Sequence, residues 1–175
     1  KFVSRGGDKL FEAFKQFPID VKGKICLDAG ISTGGFTDCL LQKGAKLVYG
    51  IDVGYGQASW KIRNNPKVKL LERTNIRYLD SSTLSHQDNQ LPSFFVADLS
   101  FISLKLVLEP IRKLLTSNYF EGISLIKPQF EVGKEKVSKG GVVKDASYHV
   151  EVIESIVDFV ISKKFAINGL ISSPL

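Results

Sequence analysis

Two ionisable residues, Asp98 and Lys127, each stand at the end of an apolar run, Phe94-Phe-Val-Ala-Asp98 and Ile123-Ser-Leu-Ile-Lys127. A charge at the end of a buried strand needs a partner. The two read as an acid/base pair on neighbouring strand ends or, more plainly, as a structural ion pair at a sheet edge. A second constellation precedes them. The turn Asp28-Ala-Gly30-Ile-Ser32-Thr-Gly34-Gly35-Phe36 separates an apolar run from a helical pattern, where backbone amides and a helix N-terminus can cradle a ligand. Asp52 ends the next apolar run, about 20 residues on, where an acid can accept ribose hydroxyls. Together these specify a cofactor containing a nucleoside.

A dinucleotide site would carry G-x-G-x-x-G, whereas here the glycines fall at 30, 34 and 35 behind Asp28. An acid in that leading place suits a pyrophosphate poorly and suits the cationic amino-acid end of S-adenosylmethionine well. The plainer reading is a tight turn with Asp28 as a helix cap. Asn75, in Glu72-Arg-Thr-Asn75, would lie beside the adenine. The run after Asp98, Leu-Ser-Phe101, lacks the Pro-Pro-aromatic sequence common where exocyclic nitrogens are methylated. Cys26 and Cys39 lie away from the fourth and fifth runs, so a cysteine nucleophile for carbon methylation is not placed there. Methylation of a hydroxyl assisted by a lysine remains. A lysine acts as a base only once its pKa is lowered, which burial or a second cation promotes. Lys9 is the candidate second cation, although its periodicity alone is that of a solvated helix lysine.

The elements that must carry these residues alternate between strand and helix patterns, which predicts a mostly parallel sheet with helices on both faces. Strands are expected at 24–28, 47–52, 68–72, 94–98, 123–127 and 166–171. Helices are expected at about 7–17, 36–43, up to Asn64, 104–115 and 147–163. Leu106, Leu108, Ile111, Leu114 and Leu115 make the apolar face of the fourth helix. The segment from Ser81 to Pro92, with His86, Asp88 and Asn89, reads as a surface connection.

At 175 residues with 43% hydrophobic content the chain is expected to form one folded unit with its own core. The two cysteines lack metal-ligand spacing and imply a reducing, cytoplasmic setting; no metal is expected. No apolar run approaches the ~18 residues of a membrane helix. The net charge of +6 favours a polyanionic partner. The chain contains no methionine and starts at Lys1, so it reads as part of something longer.

Several motifs together resemble the TlyA family of rRNA 2′-O-methyltransferases, often labelled hemolysins, whose catalytic domain is FtsJ-like. They are Ser4-Arg-Gly-Gly7 with Lys9, Asp28-x-Gly-x-Ser-Thr-Gly-Gly-Phe36, Asp52-Val-Gly-Tyr-Gly-Gln57, Glu72-Arg-Thr-Asn75, Asp98-x-Ser-Phe-Ile-Ser103, Ile126-Lys-Pro-Gln-Phe-Glu131 and Lys139-Gly-Gly-Val-Val143. The resemblance runs from Val3 to Leu175. It implies a Rossmann-like methyltransferase domain over residues 1–175 with the C-terminal strand cut short, S-adenosylmethionine as cofactor, and ribosomal RNA or ribosomal subunits as partner. It also implies a Lys-Asp-Lys-Glu tetrad, with Lys9, Asp98 and Lys127 in matching places, a glutamate beyond Leu175, and an S4-type RNA-binding domain ahead of Lys1. Phe130, Lys134, Lys136 and Lys139 are candidates for stacking and phosphate contacts, or else a solvated loop. A methyltransferase of a small hydroxylated molecule, a non-catalytic RNA-binding module and a membrane-lytic protein are the competing readings.

Overall fold

A computed structural model describes residues 1–84 and 90–174. Five apolar runs become strands, β1 (Ile25–Ala29), β2 (Leu47–Ile51), β3 (Val68–Leu71), β4 (Phe94–Ala97) and β5 (Glu121–Ser124). They form one wholly parallel sheet in the order β3-β2-β1-β4-β5. Because side chains alternate along a strand, each central strand feeds two cores. Ile25, Leu27 and Ala29 face one cluster, which also holds Tyr49, Phe95, Leu108, Ile111, Val152 and Ile156. Cys26 enters the other, with Val48, Phe94 and Val96 beneath Leu10, Phe14, Phe36 and Leu40. Helices α1 (Gly6–Gln16) and α2 (Gly35–Gln42) thus cover one face. Helices α4 (Leu108–Lys113) and α5 (Ala146–Ser162) cover the other, and the short α3 (Trp60–Arg63) lies beside β3.

The helix ends follow local chemistry. Pro18 disfavours the α region for Phe17, which is extended at φ −111° and ψ 139°. Gly44, at φ +90°, closes α2 in a left-handed turn. At the N-terminus Asp38 of α2 accepts a hydrogen bond from the Val3 amide at 2.9 Å and pairs with Lys61 at 2.9 Å. This fixes the segment leading into α1.

Several expectations need correction. The fourth helix is not continuous over 104–115: a single 3₁₀ turn, Leu104–Leu106, precedes α4. Pro110 has no amide to donate to the carbonyl of Leu106, four residues back, so it is accommodated only in the first turn of α4, which begins at Leu108 after the break. Leu106 is accordingly half exposed rather than part of the apolar face. Strand five lies two to three residues earlier than expected, and Lys127 stands beyond its end. Residues 166–171 form no strand. A strand exists only through pairing, and no described ladder reaches this stretch, which leaves Ile167, Leu170 and Ile171 partly exposed. The connection from Ser81 opens with a 3₁₀ turn, Ser81–Leu84, that buries Leu84 completely. His86, Asp88 and Asn89 lie outside the described residues.

Candidate active site

The strand order reverses between β1 and β4, and in open α/β sheets the crevice outside the carboxyl ends at that point is where ligands bind. Gly30 follows β1 and Asp98 follows β4 there. A Cβ on Gly30 would sit 2.8 Å from the Asp98 carbonyl oxygen, and Gly30 is left-handed at φ +84°. Only glycine lets the two backbones approach so closely. A cavity of about 360 Å³ opens at this place, lined among others by Lys9, Gly30, Ser32, Gly35, Phe36 and Asp98. Gly35 serves the other wall, since a Cβ on it would strike Ser4 Oγ and lie 2.8 Å from the Gly7 amide nitrogen. The start of α1, and with it Lys9, is therefore pressed against the glycine turn.

The turn amides are used internally. Those of Gly30 and Ile31 donate to the Ile51 carbonyl, that of Gly34 donates to the Ile31 carbonyl, and that of Ser32 donates to Asp52 Oδ2 at 2.8 Å. The expected cradle of free amides is thus not formed at these four positions. Ser32 itself is left-handed at φ 49°. Asp52 Oδ1 accepts the Gly54 amide at 2.8 Å, so its carboxylate shapes two turns while each oxygen keeps a further lone pair for a hydroxyl.

Asp28, on β1, is wholly buried. Its Oδ2 accepts the Thr37 hydroxyl at 2.6 Å, and its Oδ1 has no hydrogen-bond partner. Burial pushes its carboxyl up to about 7, against the opposing pull of the Thr37 hydrogen bond. Asp28 is not a helix cap, because the N-cap position of α2 is Gly34 and it has no side-chain cap. Asn75 is exposed and its Oδ1 accepts the Arg77 amide at 3.1 Å, capping a short 3₁₀ turn.

The Lys127 ammonium meets Asp98 Oδ1 at 2.6 Å and donates to Ser100 Oγ at 3.0 Å. Both members of the ion pair are about one-fifth exposed. Lys9, Asp98 and the glycine turn share the one cavity, and Lys127 joins them through Asp98. Asp28, Gly34, Asp52 and Asn75 do not line that cavity. Sequence reasoning missed Ser100 and Thr37. Ser100 lies inside a motif already singled out, Thr37 stands one residue past the end of another, on α2, and only the folded packing gives each its partner. Of the basic residues after Lys127, Lys136 is engaged by Glu151 at 2.9 Å and lies 4.4 Å from the Tyr148 ring centre, whereas Lys134, Lys139 and Lys144 are exposed.

Cys26 and Cys39 are buried free thiols, both pushed up to about 12 by burial. Among the described residues no helix is long and apolar enough to cross a membrane.

A parallel sheet with a glycine turn and an acid facing each other across its switch point defines a nucleoside-binding α/β domain. Within that class the chain belongs to the FtsJ-like methyltransferase family, which matches residues 2–175. It is 46% identical over its whole length to YqxC of Bacillus subtilis, named as a candidate rRNA methyltransferase, and spans 61% of that protein. It is 51% identical over 144 residues to the 16S/23S rRNA (cytidine-2′-O)-methyltransferase TlyA of Mycobacterium tuberculosis, covering 82% of this chain and 52% of that one. A solved structure from Lactococcus lactis, named as a candidate hemolysin, superposes with a TM-score of 0.93 at 45% identity, over 99% of this chain and 81% of that one.

Proposed function

We propose that the protein transfers a methyl group from S-adenosylmethionine to a ribose 2′-hydroxyl of ribosomal RNA, in the cytoplasm, with rRNA or ribosomal subunits as its partner. The observation that carries the reading is the Lys127–Asp98 pair, 2.6 Å apart, with Asp98 lining the same cavity as Lys9 and the glycine turn.

The residues suit this cofactor. The cavity is within the volume range of small-molecule sites, roughly 300–1,000 Å³. Asp28 keeps one buried carboxyl oxygen unpartnered, and leaving such an atom unsatisfied costs about 1–3 kcal/mol. Asp28 does not line the cavity but leads into the turn that does, so its carboxylate favours a cationic amino group held against that turn through its charge rather than by contact, and Asp52 keeps lone pairs for ribose hydroxyls. When bound, the cofactor supplies a methyl group on a sulfonium, already electrophilic.

The chain's own work is then positioning and proton handling. Lys127, in its neutral form, accepts the proton of the 2′-hydroxyl. Asp98 fixes where the amine sits, and Lys9, across the same cavity, gives the Asp98 carboxylate a second cation to balance. The exposed Lys134 and Lys139 offer phosphate contacts, and Phe130 offers a ring for stacking. The test is methyl transfer to ribosomal subunits by the full-length protein, with calorimetric titration of S-adenosylmethionine alongside. Lys127→Ala should abolish transfer while leaving cofactor affinity nearly unchanged. Retained turnover would remove Lys127 from its role, and no cofactor binding by folded wild type would sink the whole reading.

A further inference from the structure

We propose that Glu131 is a positioning residue: it clasps the loop after β5 to the loop after β4 and thereby holds Lys127 against Asp98. This rests on the methyl-transfer reading above.

The sheet itself does not set the distance between these two side chains. Pairing of β4 with β5 ends at Ala97 and Ser124, and the last backbone bond between them runs from the Leu125 amide to the Ala97 carbonyl at 2.8 Å. Lys127 is past that point, at the end of a long flexible side chain. Beyond the sheet the two loops are joined by side chains in register. Lys127 reaches Asp98 and Ser100, and Phe130 lies 5.0 Å from Phe101 between ring centres. Glu131 then closes the far end. Its Oε2 accepts the Ser103 hydroxyl at 2.5 Å and its Oε1 accepts the Leu104 amide at 2.8 Å.

Two features make the closing bond more than a local cap. Ser103 already caps the 3₁₀ turn that follows, its hydroxyl oxygen accepting the Lys105 amide at 3.1 Å, so Glu131 is an additional tie across 28 positions of chain rather than the turn's own cap. Phe101, midway along the β4 loop, is a bulky residue held left-handed at φ 64° and 90% exposed. Such a conformation persists only when its surroundings impose it, and the loop is fixed at one end by the sheet and at the other by Glu131. Both bonds to Glu131 are charge-assisted, the stronger kind. Released from this clasp, the loop would relax at Phe101 and carry Asp98 and Ser100 away from the Lys127 amine.

The experiment compares wild type, Glu131→Ala, Glu131→Gln and Ser103→Ala in the full-length protein. It measures kcat and KM for methyl transfer to ribosomal subunits, the melting temperature, and hydrogen exchange at the Leu104 amide. Misplacing a reacting group by about 1 Å can cost on the order of 100-fold. Glu131→Ala is therefore expected to lower kcat roughly 10- to 100-fold with both KM values within about twofold of wild type, and to expose the Leu104 amide to exchange. Glu131→Gln keeps a carbonyl acceptor and an amide donor for the same two partners, so most of kcat returns; Ser103→Ala gives a smaller loss. Wild-type kcat in Glu131→Ala, or a loss that Glu131→Gln does not relieve and that follows the melting temperature alone, would overturn the role of Glu131. Absence of transfer by wild type would instead overturn the functional reading.

Discussion

The Thr37 hydroxyl donates to Asp28 Oδ2 at 2.6 Å and leaves Asp28 Oδ1 as a buried, unpartnered acceptor beneath the glycine turn. Burial raises that carboxyl to about 7, so near neutral pH the free protein holds a mixture of its protonated and ionised forms. A cationic group binds only the ionised form without displacing a proton. Affinity for S-adenosylmethionine should therefore rise as pH increases towards 7 and level off above it, falling by up to about tenfold per pH unit on the acid side. Calorimetry at several pH values, in buffers of different ionisation enthalpy, would show both the trend and the proton release. Asp28→Asn should bind weakly and lose the dependence.

The same carboxyl predicts how stability of the cofactor-free protein varies with pH. Its folded value of about 7 lies above the ordinary 3.8, so the folded state holds the proton more tightly than the unfolded chain. The resulting stabilisation is complete below 3.8 and is lost as pH rises through 7. A shift of this size corresponds to a few kcal/mol, at about 1.4 kcal/mol per unit. Thermal unfolding of wild type should shift downward between pH 5 and 8 relative to Asp28→Asn, which has no charge to bury. Parallel curves for the two proteins would contradict the buried titration.

Gly30→Ala should be costly for two separate reasons. The left-handed backbone penalises any Cβ by about 1–2 kcal/mol, and this Cβ would also meet the Asp98 carbonyl at 2.8 Å. Destabilisation of roughly 2–4 kcal/mol is expected, together with loss of cofactor binding, read by denaturant unfolding and by titration. Gly56→Ala is a useful contrast, because Gly56 shares the positive φ yet has open space around it, so only the first cost applies.

The exposed lysines can be separated by salt. If Lys134 and Lys139 contact phosphates, replacing either by alanine should weaken RNA binding evenly across sequences and reduce the slope of log affinity against log salt by about one. Lys136→Ala should change the slope less, since its ammonium is already held by Glu151. Equal slopes for all three variants and wild type would place the RNA elsewhere.

The sheet was legible because its strands are continuous apolar runs, and β1, β2 and β4 fall within a residue of their expected limits. Asp98, Lys127 and the glycine turn were legible for the same reason: each stands where such a run stops. What the one-dimensional pattern does not carry is partnership between loops. Nothing in the spacing of Ser103 and Glu131 foretells their bond, and an apolar stretch such as 166–171 reads as a strand whether or not another strand adjoins it. The fourth helix was misjudged because its periodicity outweighed a single proline. Leu84 was missed because one buried residue in a polar connection makes no period.

The pairing of β1 with β4, which brings Gly30 to Asp98, joins parts of the chain separated by two other strands. Such non-local pairings form late and slowly, since a long loop must close before any contact repays its entropy. Until Ala97 has zipped onto Ala29 the crevice between Gly30 and Asp98 is not assembled. Ligand affinity in this protein is thus a report on completed folding: a cofactor that binds only the finished crevice pulls newly made chains towards the native state by mass action, and chains made where it is scarce would linger partly open, within reach of proteases.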